Sequence, residues 1–272
     1  MNSSTFVSTS RHLEAAFSSE LAVTLPRVVR GEWIKLRSVR STVIVFAVAM
    51  AAVIGLGLIF SSSSGSGPRD LVDPVSRSLA GFNLSQMIIG VLGVLVVTTE
   101  YTTGLIRTTF AAVTTRTPVL WGKAIAFSLA TFVIMLPAAL IAFFGGQAVY
   151  SGSLQTLGIS DPGALRVVIG SAVYCVGVGL IGIALGFLLR STAAGVGVLF
   201  MSLLLLPGLI GLLPGSWTNS VTKLLPSEAG SAFMTISPGR DLLSSTAGFA
   251  VFVGWVALLI GAAAVTLKRR DA

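Results

Sequence analysis

Apolar residues in this chain fall into six long runs, near 41–60, 80–99, 119–144, 165–189, 192–213 and 246–267. Each is long enough for a helix to cross a hydrocarbon core about 30 Å thick. The alternating pattern of a membrane-barrel strand is absent. The pattern therefore predicts an all-α polytopic membrane protein with six transmembrane helices. Little more than Arg190-Ser191 separates the fourth run from the fifth, which predicts a tight turn. The stretch after the first run, SSSSGSGPRDLVDPVSRS, reads as a turn-rich linker.

Three shorter segments have patterns of their own. In PRVVRGEWIKLRSVR, residues 26–40, Val29, Trp33 and Leu36 share one helical face, and Arg30, Lys35, Arg37 and Arg40 surround it. This predicts an N-terminal interfacial helix lying along the membrane, with Trp33 at headgroup depth. In EYTTGLIRTTFAAVTTRTPVLWGK, residues 100–123, Leu105, Ile106, Thr109 and Phe110 lie on one side of a short helix, and Arg107 stands off it. Gly104 lies just before, where a long helix bends or stops. Thr117-Pro118 supplies a helix start. A short, rigid helix held between two spans is suited to contacting another protein; a solvated connection is the plainer alternative. Finally, PGSWTNSVTKLLPSEAGSAFMTISPGRD, residues 214–241, mixes prolines with apolar pieces too short to span. Leu224, Leu225, Phe233, Met234 and Ile236 predict two short re-entrant helices before the last span.

Composition agrees with this pattern. Hydrophobic residues make up 54% of the chain and charged residues only 10%, less than half the usual charged share of a soluble domain. Net charge is +8. In a soluble protein that would suggest a nucleic-acid partner, but here the distribution accounts for it. With the N terminus inside, thirteen of the eighteen basic residues fall inside and five outside, while the acids divide evenly. This is the positive-inside pattern, and it predicts cytoplasmic N and C termini. Residues 1–25 are polar and Ser/Thr-rich and lack an apolar core with a cleavage site, so a cytoplasmic tail is expected rather than a signal peptide.

Candidate chemistry is sparse. Gly122-Lys123 fails the phosphate-loop pattern, because Ala124 follows the lysine and Thr117 stands where the first glycine is required. His12 is the single histidine and Cys175 the single cysteine, which leaves no catalytic triad and no metal set. The expectation is a non-enzyme with no cofactor of its own. The spans carry no formal charge in the bilayer core beyond Glu100, at a helix end. A coupled carrier usually keeps an ionisable group there, and a channel often needs charged rings. Gln86, Gln147 and Ser202 are among the few polar residues within or bordering spans. They are candidates for a cargo pathway, with helix-to-helix hydrogen bonding as the alternative. Gly177, Gly179, Gly182 and Gly186 suit close helix packing.

From Gln86 to Lys123 the chain resembles the permease subunits of the ABC-2 type exporter family, especially actinobacterial ones. The stretches that carry the resemblance are GVLGVLVVTTEY (90–101), GLIRTTFAAV (104–113), Arg116 and Lys123. EWIKLRSVRST (32–42) is similar to the family's entry into its first span, and LPSEAGSAFM (225–234) to its short extracellular helices. Thr114-Thr115 departs from the proline and basic residue common there. The resemblance implies an elbow helix, with Trp33, Arg30, Lys35 and Arg37 at the membrane interface. It also implies a coupling helix, Gly104 to Val113, with Glu100, Gly104, Leu105, Ile106, Arg107, Phe110 and Arg116 at the coupling region. Residues 26–272 would form the transmembrane domain. The implied partners are a cytoplasmic ABC ATPase subunit, which binds the ATP and Mg, a second permease chain as homo- or heterodimer, and membrane lipids. The implied setting is a bacterial plasma membrane and the implied cargo lipophilic or amphipathic. A secondary carrier or channel, and a non-transporting membrane scaffold, are the alternative readings.

Overall fold

The computed structural model describes residues 24–62, 74–105, 117–150, 157–214, 217–236 and 242–269. Within them, α1 (Leu25–Ser38) leads into α2 (Arg40–Ser62) through the extended residue Val39. There follow the short α3 (Pro74–Ser78), then α4 (Phe82–Thr102), α5 (Thr117–Tyr150) and α6 (Ala164–Leu189). The next span is α7 (Thr192–Phe200), a π-helical segment Met201–Leu205, and α8 (Leu206–Gly211). Two short helices, α9 (Trp217–Thr222) and α10 (Pro226–Phe233), precede α11 (Ser245–Arg269). No strand occurs among the described residues.

Six of these elements are long and apolar enough to cross a membrane: α2, α4, α5, α6, the α7–α8 span and α11. The chain has the architecture of a multi-pass helical membrane protein, in which the backbone polar groups of a span are satisfied mostly within its own helix. The runs of apolar sequence and the observed spans coincide to within a few residues at most ends. The tight turn at Arg190-Ser191 is present too. Arg190 adopts a left-handed conformation (φ 51°) after α6, and the Ser191 hydroxyl accepts from Ala194 N at 3.4 Å to cap α7.

The bundle is built around α4 and α6. Glycines bring the two backbones together: a Cβ on Gly93 would overlap the Gly179 carbonyl, and one on Gly182 would overlap the Gly90 carbonyl. This is small-residue packing, which helices in lipid use because apolar burial alone gives them no reason to associate. Around that pair, α5 covers α6 and α2 covers α5 and α4. At one end Tyr174, Phe233 and Phe252 form an aromatic cluster that seats α10 on α6 and α11. The close fit of α10 needs Gly230, whose Cβ would run into the Tyr174 ring. Two short helices thus precede the last span; Leu225 and Phe233, at the start and end of α10, are buried against the bundle, while Trp217 and Val221 of α9 and Leu224 are exposed.

In the fifth span the Leu206 N–H bonds back to the Met201 carbonyl, five residues earlier. This π geometry immediately precedes Pro207, which has no N–H to give to the regular ladder.

Candidate functional site

The face of α1 that carries Val29, Trp33 and Leu36 also carries Glu32. In the structure this face turns inward: Leu36 and Glu32 are buried, while Val29 and Trp33 pack against the core formed by the spans. The amphipathic pattern had placed that face at a membrane surface; packing against α5 takes up much of it instead.

Burying Glu32 requires a partner, because an isolated carboxylate out of water is very costly. Lys123, on the second turn of α5, supplies it. Its ammonium is 1% exposed and lies 2.7 Å from Glu32 Oε2 and 2.9 Å from Glu100 Oε1. Glu100, on the last turn of α4, is 7% exposed. Lys35, one turn on from Glu32, closes the arrangement at 2.8 Å from Glu32 Oε1 and 3.1 Å from Glu100 Oε1. Two acids and two bases thus alternate in a neutral knot that binds α1, the foot of α4 and the head of α5. The Lys35 side chain is half exposed and forms the knot's wet side. Glu100 Oε2 is buried and has no hydrogen-bond partner among the described residues.

Electrostatics follow from this arrangement. Burial works against ionisation of Glu32, yet the Lys123 ammonium, aided by Lys35, outweighs it and holds the carboxyl below its ordinary range. Burial likewise opposes the charge on Lys35, and the Glu32 and Glu100 carboxylates override it and raise its pKa. Beside the knot, a cavity of about 430 Å³ opens between α1, α2 and α4, walled by Thr42, Val45, Leu92, Leu95 and Val96.

Next to the knot, α4 ends where Gly104 takes a left-handed φ of 73°, which glycine adopts at little cost. The stop at Gly104 agrees with the reading of residues 100–123. Leu105 is exposed. Ile106, Arg107, Phe110 and Arg116, with most of the expected short helix, lie outside the described residues. Both flanks of that connection are nevertheless held in the knot, by Glu100 before it and Lys123 after it.

The polar candidates for a pathway do not converge. Tyr174 Oη donates to Gln86 Oε1 in the buried interface of α4 and α6. Gln147, near the far end of α5, accepts from Leu157 N at 3.1 Å. The Ser202 hydroxyl donates to Leu199 O within its own helix. Helix-to-helix bonding describes Gln86 best. Among the interfacial candidates, Arg30 and Arg37 are exposed, Lys35 belongs to the knot and Trp33 is half buried.

Charge counting had treated Glu32 and Lys123 only as inside charges. Lys123 sits within an apolar run, where a lysine signals a partner, and that signal was present in the sequence. The choice of Glu32 required α1 to fold back onto α5, which no local pattern encodes.

A scan against protein-family models matches none, and a search of the curated proteins finds no match.

Proposed function

We propose that this chain is the permease subunit of an ATP-driven exporter of the ABC-2 type. It would form half of a translocation pathway and work with a separate cytoplasmic ATPase and a second permease chain. Its cargo would be a lipophilic or amphipathic compound such as a drug, lipid or peptide. The observation that carries this reading is the knot. A push on the connection between α4 and α5 acts on two helix ends that share ion pairs with each other and with α1. Three elements then move as one body, as an external motor requires. ATP binding would shift the permease between inward- and outward-open states only through its different affinity for the two.

Gly104 to Val113 would be the contact with the ATPase, with Phe110 filling an apolar pocket and Arg107 pairing with a carboxylate at its rim. Aromatic and arginine side chains most often carry such concentrated contacts. The test is co-purification with the ATPase together with transport by reconstituted protein. Phe110→Ala and Arg107→Glu should leave the permease inserted and folded while they abolish ATPase capture or uncouple hydrolysis from export. Normal capture and parent-rate transport by both variants would remove the connection from the coupling role.

A further inference from the structure

A second groove, about 490 Å³, runs down the side of the bundle between α1, α2 and α5. Its walls are hydrocarbon: Val43, Phe46 and Met50 from α2, Ala130, Ile134 and Pro137 from α5. Such walls suit an acyl chain, and nothing in them would choose among lipids. Its mouth differs, because Trp33 and Arg37 line it one helical turn apart on α1. Among the described residues neither the Trp33 indole N–H nor the Arg37 guanidinium has a hydrogen-bond or ion-pair partner. Among the described residues no carboxylate lines this groove. The nearby acids Glu32 and Glu100 are engaged by Lys123 and Lys35 and do not line the groove.

We propose that this groove is a binding site for an anionic phospholipid, with one acyl chain between α2 and α5 and the phosphate on Arg37 and the Trp33 indole N–H. Charge complementarity selects the occupant. The mouth offers donors and a full positive charge, and among its described lining residues no carboxylate to balance the ammonium of a cationic or zwitterionic head. Arginine matches phosphate oxygens in a planar fork, and indole sits well at headgroup level with its N–H in the polar layer. Arg30 and Arg40, also at this end of the chain's first helices, add to the local positive potential. The site belongs to the permease fold itself and stands whether or not an ATPase drives the protein.

The experiment uses the full chain with Trp121, Trp217 and Trp255 replaced by Phe, so that Trp33 alone fluoresces. It is reconstituted into phosphatidylcholine vesicles containing a minor fraction of either phosphatidylglycerol or phosphatidylcholine with brominated acyl chains. Bound brominated lipid quenches the indole. Trp33 should be quenched by the phosphatidylglycerol probe with an apparent affinity about fivefold higher, the preference one arginine near an anionic surface confers. Arg37→Gln should erase that preference, and Arg37→Lys should retain part of it. Ala47→Phe, at an exposed residue that lines the groove, should weaken quenching by both probes. Equal quenching by the two lipids in the parent overturns the proposal. So does a preference that survives Arg37→Gln, or quenching unchanged by Ala47→Phe.

Discussion

Lys123 Nζ and Glu32 Oε2 meet at 2.7 Å across 91 residues of chain, with less than a tenth of either side chain exposed. A buried pair of this kind contributes little when compared with well-packed hydrocarbon, but losing one member is severe. Lys123→Met should therefore destabilise the protein by about 3–5 kcal/mol, the usual cost of stranding a buried charge. Adding Glu32→Gln to that variant should recover part of the loss, because one stranded carboxylate becomes neutral. Thermal melting in detergent, read by near-ultraviolet circular dichroism, measures both changes. A double variant no more stable than Lys123→Met would show that the pair is not the source of the loss.

The same pair makes stability depend on pH. Glu32 ionises more readily in the fold than in the unfolded chain. Its contribution is fully present above the ordinary carboxylate range and is lost as pH falls through the depressed folded value. Lys35 acts in the opposite sense. Its raised pKa gives a contribution present below the ordinary lysine value and lost as pH rises through the folded one. Melting temperature should fall on acidification, and Glu32→Gln should flatten the acid limb. Equal acid limbs for parent and variant would remove Glu32 from the account.

The bundle was legible in the sequence, and the knot was not. Run length and hydropathy located the six spans because each reports its own burial, residue by residue. The stop at Gly104 and the glycines of α6 were legible for the same reason: a backbone need shows in one residue type. Glu32 and Lys123 are brought together by tertiary folding, and neither has a neighbour in sequence that reveals the other. That Trp33 is half buried against the spans was not legible, since an amphipathic face looks alike whether it meets lipid or another helix.

Close backbone approach leads to a third expectation. At Gly182 any side chain would collide with the Gly90 carbonyl, a backbone atom that cannot turn away. Gly182→Val should force α4 and α6 apart and cost at least about 1–3 kcal/mol, the range for an overpacked core. At Gly254 of α11, where nothing lies within 4 Å of a built Cβ, the same replacement should be nearly silent. Comparison of the two melting curves decides the matter.

Tyr174 and Gln86 offer a double-mutant cycle. Tyr174→Phe leaves the Gln86 carbonyl oxygen without the hydroxyl that donates to it, at a cost of about 1–3 kcal/mol. Gln86→Leu strands the hydroxyl. Removing both should cost less than the sum, since no buried polar group is then left waiting. Strict additivity would mean that the two are not coupled.

Orientation can be read chemically. Cys175 is fully buried, so a background with Cys175→Ala carries no reactive thiol. In intact cells an impermeant maleimide should label Gly65→Cys and spare Thr115→Cys, as the distribution of basic residues requires. The reverse pattern would invert the orientation.

The π-helical segment at Met201–Leu205 has a consequence for the surface of the fifth span. Each residue of a regular helix advances about 100° around the axis, and a π turn takes in one residue more than the regular ladder would. Everything after Leu205 is therefore displaced in phase relative to everything before Ser202. A single straight helix would set the exposed side chains of Val198, Met201, Leu209 and Leu212 within about 80° of one another; the π turn parts them into two stripes. The span works like a screw cut with two offset threads: a neighbour that grips the first half meets a different set of side chains on the second. Deleting one residue between 201 and 205 would turn the π segment into regular helix and leave Leu209 and Leu212 facing as they do, whereas forcing a regular helix at the present length would swing both by about a quarter turn.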